Sequence, residues 1–343
     1  MKNSFLAGNV SISDSIVPLI STEISVKDFL GAVMVRWGIN RDHYRVNPGL
    51  YAVGTPGPES DVFVTANYKL SFDALRKNLA GLNGWILVLD TRGINVWCAA
   101  GKGTFGTKEL VNRIKLVSLE KEVNHKRLIL PQLGATGVAA HKVKQETGFN
   151  VHYGPVRAAD IKRFIMEGYR ADKEMRRVTF GFKDRIKLIP NDFIYGKFYL
   201  LGTMAVLFIV SGLSGNGFSF KSFLVGGGPL ILRVLLAYIA GIVITPLFLP
   251  FIPGRHFSLK GFYSGALVFI VLASLKLAGD NVIELFSWFL IITTISSFLA
   301  MNFTGSSTFT SLSGVKKEMK LSVPIQIGFA ITGIILQVAE KFI

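Results

Sequence analysis

Two patterns of hydrophobic positions divide the chain. Between residues 26 and 170, short apolar runs alternate with stretches whose apolar residues recur every three to four positions. The short runs predict buried strands at Asp61–Asn67, Trp85–Asp90, Arg127–Leu130 and Asn150–Tyr153. The periodic stretches predict helices at Val26–Trp37, Ser71–Leu79, Thr107–Val117, Val138–Glu146 and Ala158–Glu167. This alternation is typical of a mostly parallel sheet covered by helices on both faces.

Helix ends are also marked in the sequence. Ser71 and Thr107 are the residue types that cap helix N-termini, and both stand at the start of a periodic stretch. Gly148 follows the fourth stretch, where a glycine commonly ends a helix. We therefore expect these three residues to bound their helices.

The second pattern begins after residue 192. Five apolar stretches there approach the roughly 20 residues that a helix needs to cross a bilayer. They cover about 198–213, 234–252, 261–277, 282–303 and 322–339. Residues 171–192 are charge-dense and predict a basic juxtamembrane linker, or a juxtamembrane helix at the membrane surface. The expected organisation is a domain at 1–170, this linker, and a transmembrane domain at 193–343.

Composition and charge support this division. The chain is 50% hydrophobic and 17% charged, whereas soluble domains are about one-quarter charged. The net charge is +16, but the basic residues are scattered, so we expect no nucleic-acid partner. Nine Lys and Arg flank the predicted spans on one side and four on the other, which favours a cytosolic N-terminal domain. Residues 1–20 lack the apolar run of a signal peptide. The expected location is the inner (cytoplasmic) membrane, crossed several times.

The spans hold few ionisable residues away from their ends. Transporters that move protons or ions usually bury such residues. The predicted transmembrane domain therefore fits an anchor or a scaffold better than a pump.

The sole cysteine lies in the segment richest in candidate chemistry. A single Cys98 excludes an intrachain disulfide, a four-thiolate iron–sulfur cluster and a cysteine-based zinc site. Residues 95–107 follow the predicted strand at Trp85–Asp90, which places them at the carboxyl edge of the sheet, where α/β sheets bind ligands. The small residues 99–101 would let the backbone lie against a large planar ligand. Glycines 101, 103 and 106 would leave amides free for an anion.

The residues alone leave three interpretations of this segment open. A phosphate-binding loop is disfavoured, because Gly106 is followed by Thr107-Lys108 in the wrong order. A nucleophilic cysteine would need a histidine base, and no signature couples one to Cys98. The third interpretation is a buried thiol that only fills space.

One motif in this segment is specific. Asn95-Val96-Trp97-Cys98-Ala99-Ala100-Gly101-Lys102 resembles the cap-helix motif of the mercury-methylating corrinoid protein family (HgcA). The similarity continues in stretches that also resemble the corrinoid domain of the corrinoid iron–sulfur protein, namely Val62-Phe-Val-Thr-Ala-Asn67, Leu130-Pro-Gln-Leu-Gly-Ala135, and Thr147-Gly-Phe to Tyr153-Gly-Pro155 with Ala159-Asp160-Ile161. A soluble domain followed by five spans matches the family layout.

The resemblance implies an α/β Rossmann-like cobalamin-binding domain followed by an all-α transmembrane domain of five helices. It implies a cobalamin-dependent methyltransferase in which Cys98 is the lower axial ligand of cobalt. A methyl group would pass from Cys98-ligated methylcobalamin to inorganic Hg(II), giving methylmercury under anaerobic conditions. The implied partners are a ferredoxin-like iron–sulfur protein as electron donor and a methyl-folate-dependent methyl donor. The cobalamin signature Asp-x-His-x-x-Gly is absent, so a histidine ligand is not expected.

The residues expected to contact the cofactor follow the predicted strands. They are Thr65, Asn67, Asn95, Val96, Trp97, Cys98, Ala99, Ala100, Gly101, Lys102, Gly103, Thr104, Gly134, Ala135, His152, Tyr153 and Gly154. Asn95 is also expected to cap a helix, and Trp97 to pack into the core. Lys102 either favours the thiolate or is solvated. Two alternatives remain: a membrane-anchored corrinoid methyl carrier for another acceptor, and a five-span membrane protein with a cytosolic cofactor-sensing domain.

Overall fold

The computed structural model of the protein describes residues 4–12, 15–214, 217–306 and 312–342. The chain divides into two compact units, Met1–Thr179 and Phe180–Ile343. The first unit is an α/β domain and the second is helical apart from one small hairpin.

Seven strands form one sheet in the first unit. In chain order they are β1 (Leu6–Ile12), β2 (Ser15–Ile20), β3 (Gly49–Val53), β4 (Val62–Ala66), β5 (Gly84–Leu89), β6 (Arg127–Leu130) and β7 (Asn150–Tyr153). Their order in space is β1-β2-β3-β5-β4-β6-β7. The pairs β2–β3, β4–β5, β4–β6 and β6–β7 are parallel, whereas β1–β2 and β3–β5 are antiparallel. The prediction of a mostly parallel sheet is confirmed, and the four predicted strands lie within one residue of their expected bounds.

Strands β1, β2 and β3 were not expected from the sequence. β1 and β2 form a hairpin at the edge of the sheet, and β1 is largely exposed, so its residues need no regular apolar pattern. β3 is short and lies between glycine- and proline-rich turns, and its pairing with β5 joins residues far apart in the sequence. Local patterning carries little information about strands of this kind.

Seven helices accompany the sheet. They are α1 (Val26–Arg36), α2 (Lys69–Asn78), α3 (Val96–Lys102), α4 (Thr107–Leu116), α5 (Leu119–Glu122), α6 (Ala140–Thr147) and α7 (Ile161–Met166). A 3₁₀ turn at Ala158–Asp160 precedes α7, where the sequence predicted one continuous helix.

The structure corrects two of the three expected helix ends. α2 begins at Lys69, so Ser71 lies inside the helix and is not its N-cap. Gly106 holds the N-cap position of α4, and the Thr107 hydroxyl instead accepts a hydrogen bond from the Ala139 N–H at 2.9 Å. Gly148 ends α6 with a φ of 76°, as predicted.

The two faces of the sheet bury separate clusters of side chains. Alternate strand residues such as Val64, Leu87 and Leu128 pack against α3, α4 and α6. Their neighbours Phe63 and Ile86 pack on the other face against α2 and α7. Because both faces are covered, the central strands β4 and β5 are buried at every position.

The connections reverse direction at the centre of the sheet. The chain passes from β4 to its neighbour β5 through α2 on one face. It then crosses β4 and reaches β6 through helices that include α3 and α4 on the other face. Such a reversal leaves a crevice at the carboxyl ends of the two strands that flank it, here β4 and β6.

A buried network of charges joins α1 to α2. Arg76, with none of its surface exposed, pairs with Asp28 at 2.8 Å and with Asp73 at 2.7 Å. Lys69 bridges the same two carboxylates at 2.7 Å each. Burial raises the pKa of Asp28, but hydrogen bonds from Lys69 and from two serines outweigh this effect and hold the pKa well below its usual range. The network fixes α1 on the domain, since removing one partner of a buried pair costs about 3–5 kcal/mol.

The second unit contains five helices that are long and apolar enough to cross a membrane, by length and composition. They cover Ile189–Ser211, Gly226–Leu247, Phe257–Ser274, Val282–Asn302 and Ser313–Phe342. Five spans were predicted, and five are found among the described residues. The first begins at Ile189, inside the stretch 171–192 that was expected to be a linker or a juxtamembrane helix. That stretch also contains α8 (Phe182–Ile186).

The helices of this unit are α9 (Ile189–Ser211), α10 (Phe220–Ile239), α11 (Thr245–Leu247), α12 (Phe257–Ser274), α13 (Val282–Asn302) and α14 (Leu312–Ala339). A hairpin of β8 (Leu213–Ser214) and β9 (Gly217–Phe218) separates α9 from α10, and a π-helical turn at Ala240–Ile244 joins α10 to α11. Glycines on α12 let it approach α13 closely, and the Ser296 hydroxyl donates to the Gly261 carbonyl at 2.7 Å. Small residues and hydroxyl bonds of this kind are typical of helix contacts in membranes.

Candidate functional site

A cavity of about 350 Å³ lies at the carboxyl ends of β4 and β6, in the crevice left by the reversal of connections. Its walls come from these two strands, from α2, from the start of α3 and from the segment after β7. Most of the lining is apolar, as is usual for cofactor sites. The residues expected at the site that line it are Thr65, Asn95, Val96 and Trp97.

Thr65 supplies a polar group near the end of β4. The residue is 3% exposed and lines the cavity. Among the residues that the structure describes, no partner is found for its side-chain hydroxyl. A buried hydroxyl with free hydrogen-bonding capacity can orient a ligand in an otherwise apolar pocket.

Asn67 holds the loop that leads from β5 to α3. Its Oδ1 accepts hydrogen bonds from the backbone N–H groups of Thr91 and Gly93, at 3.1 and 2.9 Å, and from the Thr91 hydroxyl at 2.9 Å. Its Nδ2 donates to the Asp90 carboxylate at 3.1 Å. Both ends of the amide are therefore used within the protein. The structure gives Asn67 a positioning role for the segment that carries Cys98.

Helix α3 is held by caps at both ends. The Asn95 side chain accepts from the Cys98 N–H at 3.0 Å, so the prediction that Asn95 caps the helix is confirmed. Gly103 ends the helix with a φ of 80°, a conformation that favours glycine, and its N–H donates to Ala100. The Thr104 N–H returns to the Ala99 carbonyl at 2.9 Å. The expectation that the Gly103 amide is free for an anion is therefore wrong.

One face of α3 packs tightly against the protein. Ala99 and Ala100 are buried in the core. A Cβ on Gly137 would lie 3.0 Å from the Ala100 Cα, and one on Gly134 would lie 2.5 Å from the Phe105 ring. The small size of these four residues thus serves close packing between α3, Phe105 and the loop after β6.

The opposite face of α3 is open. It carries Trp97, Cys98, Gly101 and Lys102, all of which are exposed. Trp97 is 43% exposed and lines the cavity, so the expectation that it packs into the core is wrong. The Cys98 thiol is also exposed, and its Sγ lies 3.6 Å from the Asn95 Nδ2, which donates to it. The interpretation of Cys98 as a buried space-filling thiol is therefore excluded.

Gly101 has no structural reason to be glycine. It lies within α3 and does not adopt a positive φ. A Cβ built on it would meet nothing within 4 Å. Glycine inside a helix costs about 1 kcal/mol relative to alanine. The residue therefore leaves open space on the exposed face of α3, one turn from Cys98.

Four residues at or after the ends of β6 and β7 were expected to contact the cofactor, but they do not line the cavity. The Tyr153 hydroxyl donates to the Val138 carbonyl at 2.6 Å, and burial raises the pKa of Tyr153. Burial and the nearby Arg127 lower the pKa of His152. Gly154 donates its N–H to Leu130 at 2.8 Å, and Ala135 lies half-buried in the loop after β6. None of these four residues is part of the cavity lining described above.

Sequence reasoning missed two walls of the cavity. One consists of Ser71, Ala74 and Leu75 on α2, which read as an ordinary amphipathic helix and carried no signal. The other includes Pro155 and Val156 after β7. Pro155 stands inside a stretch that resembles corrinoid proteins, so the resemblance was a usable signal for this wall.

Comparison with known proteins identifies the same region. A family model described as "CO dehydrogenase/acetyl-CoA synthase delta subunit" (CdhD) matches residues 19–165. These residues hold strands β3 to β7, the cavity and α3. Much of this part of the chain is also similar to relatives whose names include the corrinoid/iron–sulfur protein.

Two relatives illustrate the similarity. The acetyl-CoA decarbonylase/synthase complex subunit gamma of Archaeoglobus fulgidus is 34% identical over 131 residues, which is 38% of this chain and 27% of that protein. The corrinoid/iron–sulfur protein large subunit of Moorella thermoacetica is 30% identical over 122 residues, which is 35% of this chain and 27% of that protein. The chain thus spans about a quarter of the length of the curated relatives it matches. Both are named as subunits, and the five apolar helices lie outside the range of the family model.

Proposed function

We propose that the protein is a membrane-anchored corrinoid-dependent methyltransferase that transfers a methyl group to inorganic Hg(II). The observation that carries the proposal is the open face of α3. An exposed thiol and a glycine that packing does not require stand together there, beside an apolar cavity at the reversal point of the sheet. The family match over residues 19–165, together with the relative named as a corrinoid/iron–sulfur protein, supports the cofactor class.

The residues present fit a corrin ring. Among the described residues, no three His, Cys, Asp or Glu side chains are close enough together to hold a metal ion. A corrin would bring its own nitrogen donors to cobalt, so the protein would need to offer only one further donor. Cys98 offers one, and a soft thiolate is a suitable donor to such a metal. The side of α3 that carries this thiol is also open at Gly101, where an added Cβ would meet nothing within 4 Å.

Each residue of the site would have a definite task. The Asn95 cap would fix α3, and its Nδ2 would hold the Cys98 sulfur in place through the 3.6 Å contact. Trp97 and Val96 would shield the ligand from water at the rim, and the Thr65 hydroxyl would orient a polar substituent inside the cavity. When bound, the cobalamin would supply a methyl group of carbanion character, stabilised in its departure by the electron-donating thiolate.

The proposed partners would supply the electrons and the methyl groups that repeated cycles require. One cysteine cannot hold a four-thiolate cluster, so the electrons for repeated cycles would come from a separate ferredoxin-like iron–sulfur protein. Methyl groups would come from a methyl-folate-dependent donor. The five apolar helices would place the protein in the cytoplasmic membrane, and the distribution of Lys and Arg favours a cytosolic first unit.

The direct test is cobalamin binding by the full chain in lipid nanodiscs. We expect bound cobalt at one per chain and an absorption spectrum that changes when Cys98 is replaced by alanine, because the axial ligand is lost. Lys102→Ala, on the same exposed face, is the matched control and should keep the spectrum. Binding with an identical spectrum in both variants would show that Cys98 is not a ligand, and no binding at all would favour a domain that senses another cofactor.

A second experiment distinguishes the methyl acceptor. Relatives named as subunits of the acetyl-CoA decarbonylase/synthase complex favour one alternative, a methyl carrier for another acceptor. With methylcobalamin bound and Hg(II) added under anaerobic conditions, we expect about one methylmercury per chain without an electron donor. Reduced ferredoxin and a methyl-folate donor should restore cycling. A loaded protein that yields no methylmercury would support the carrier alternative, and many cycles without a donor would refute the proposed electron requirement.

A further inference from the structure

An apolar face of α1 is turned outward. Its six large hydrophobic side chains, each between 36% and 75% exposed, are Val26, Phe29, Leu30, Val33, Met34 and Trp37. At 100° per residue these positions cover one side of the helix. We call this set the α1 apolar face. Contiguous exposed apolar patches on a folded domain mark interaction sites.

The orientation of α1 is fixed by its other side. Asp28 and Val35 are buried, and Asp28 belongs to the network around Arg76. Ser25 and Asp28 form a capping box that fixes the start of the helix. Because these contacts involve a fully buried arginine, the helix cannot turn over to hide its apolar face without breaking buried ion pairs.

The charges around the α1 apolar face are basic. Lys27 and Arg36 lie on opposite edges of the face, at about 100° and 280° from Val26 on the helix. Arg41 and Arg45 follow in the next segment, where the one acidic residue is Asp42. The whole first unit carries 25 Lys and Arg against 16 Asp and Glu. An apolar stripe with an aromatic residue, bordered by cations, is complementary to the surface of an anionic bilayer.

A bilayer would also be within reach. The first unit ends at Thr179, and the first helix able to cross a membrane begins at Ile189. A short tether keeps the domain at a high effective concentration near the membrane. Even a weak affinity for lipid would therefore be sufficient for binding.

We infer that α1 is an interfacial membrane helix that inserts its apolar face into the cytosolic leaflet. This inference rests on the membrane attachment in the proposed function but not on the corrinoid chemistry. The lipid would contact the α1 apolar face through its acyl chains and the flanking cations through its anionic headgroups. The first unit would then be held at the membrane by two attachments, its covalent link to Ile189 and α1.

Spin-label depth measurement tests the inference on the full chain in nanodiscs of phosphatidylcholine and phosphatidylglycerol. The label is placed at Leu30→Cys in a Cys98→Ala background. The matched control is Leu116→Cys on α4, an exposed leucine of the same unit at 64% exposure. We expect the label at position 30 to be at least three-fold less accessible to a water-soluble nickel complex than the label at 116, and more accessible to oxygen. Equal accessibility to nickel at the two sites would overturn the inference.

Two further outcomes separate the inference from its competitors. Shielding that appears in discs with two chains and vanishes in discs with one would assign the α1 apolar face to a second copy and overturn the lipid contact. A partner protein is absent from the purified discs, so a face reserved for one would leave the position-30 label open to nickel. Cobalamin binding is measured separately on Leu30→Asp with Cys98 intact. We expect it to be unchanged, and failure to bind cobalamin in the unaltered chain would count against the proposed function while leaving the depth result valid.

Discussion

Helices α3 and α4 follow one another in the connection from β5 to β6, yet different interactions hold them. α4 buries Leu110, Val111 and Ile114 in the core, and its Glu109–Arg113 pair at 2.7 Å lies along its outer side. α3 is shorter and buries only Val96 and two alanines. Its position depends on the side chain of Asn95 at one end and on Gly103 at the other.

The difference explains how one connection can hold both a helix fixed by core packing, α4, and a helix with a face free to bind a ligand, α3. Apolar packing selects the residues of α4, so a substitution there changes stability first. The caps of α3 leave its outer face free, so Cys98 and Gly101 are not needed for packing. Substitutions on that face should therefore change ligand binding and activity with little effect on folding, and the following experiments test this contrast.

Replacing the thiol should give the largest effect. Cys98→Ala is expected to lower methylmercury formation more than 100-fold, because the proposed donor to cobalt is lost. The free energy of unfolding should change by less than about 0.5 kcal/mol, since the side chain is exposed. Methylmercury yield and urea denaturation of the full chain in nanodiscs measure the two quantities. Retained activity would contradict the assignment of Cys98, and a large loss of stability would contradict the contrast with α4.

Truncating the core of α4 should show the opposite behaviour. Leu110 is fully buried, so Leu110→Ala is expected to lower the free energy of unfolding by about 2–5 kcal/mol. Cobalamin binding per folded chain should be unchanged. Leu116→Ala, in the same helix but exposed, is the control and should change stability by less than about 0.5 kcal/mol. The contrast fails if Leu110→Ala weakens binding while leaving stability intact.

Removing the cap should loosen α3 alone. Asn95→Ala leaves the Cys98 N–H without its side-chain acceptor and is expected to lower the local stability of α3 by about 1 kcal/mol. Hydrogen exchange of the amides in α3 should accelerate about five-fold, while exchange in α4 should not change. Asn95→Asp restores an acceptor and should recover the protection. If α4 accelerates equally, the two helices unfold as one unit and their separation is refuted.

Adding a methyl group at Gly101 should have the smallest effect on folding. Gly101→Ala is expected to stabilise α3 by up to about 1 kcal/mol, because alanine favours the helix and the added Cβ meets nothing. Cobalamin affinity should fall, since the methyl group would occupy the space proposed for the ring. Gly134→Ala is the matched control, and it should destabilise the domain because its Cβ would strike the Phe105 ring. Unchanged affinity in Gly101→Ala would remove the main support for the proposed site.

Much of this architecture was predictable because the central strands are buried on both faces. Their apolar runs are visible without tertiary information, and so is the placement of Cys98 after β5. The rotation of α3 about its axis was not predictable. Ala99 and Ala100 turn inward because the loop carrying Gly134 and Gly137 approaches them, and this contact joins residues more than 30 positions apart.

Two other features of the first unit could not be predicted from the sequence for the same reason. Asn67 stands at the end of a strand, where a ligand contact is a fair expectation, but its partners lie 23 to 26 residues further along the chain. Arg76 lies in an amphipathic helix, and its pairing with Asp28 spans 48 residues. Periodicity and local motifs describe neighbours within a turn or two, so they cannot show that a polar side chain is used by a distant part of the fold.

The exposed thiol of Cys98 determines how the protein would be oxidised in air. With a single thiol, oxidation cannot close a bridge within the chain, so it proceeds to an oxygenated sulfur or to a disulfide with another molecule, such as a second chain. A linkage through α3 would set two chains face to face at the rim of the cavity and block both. A thiol engaged by a metal is withdrawn from that chemistry. Occupancy of the site would therefore protect the chain against covalent pairing, and the empty form would be the oxygen-sensitive one.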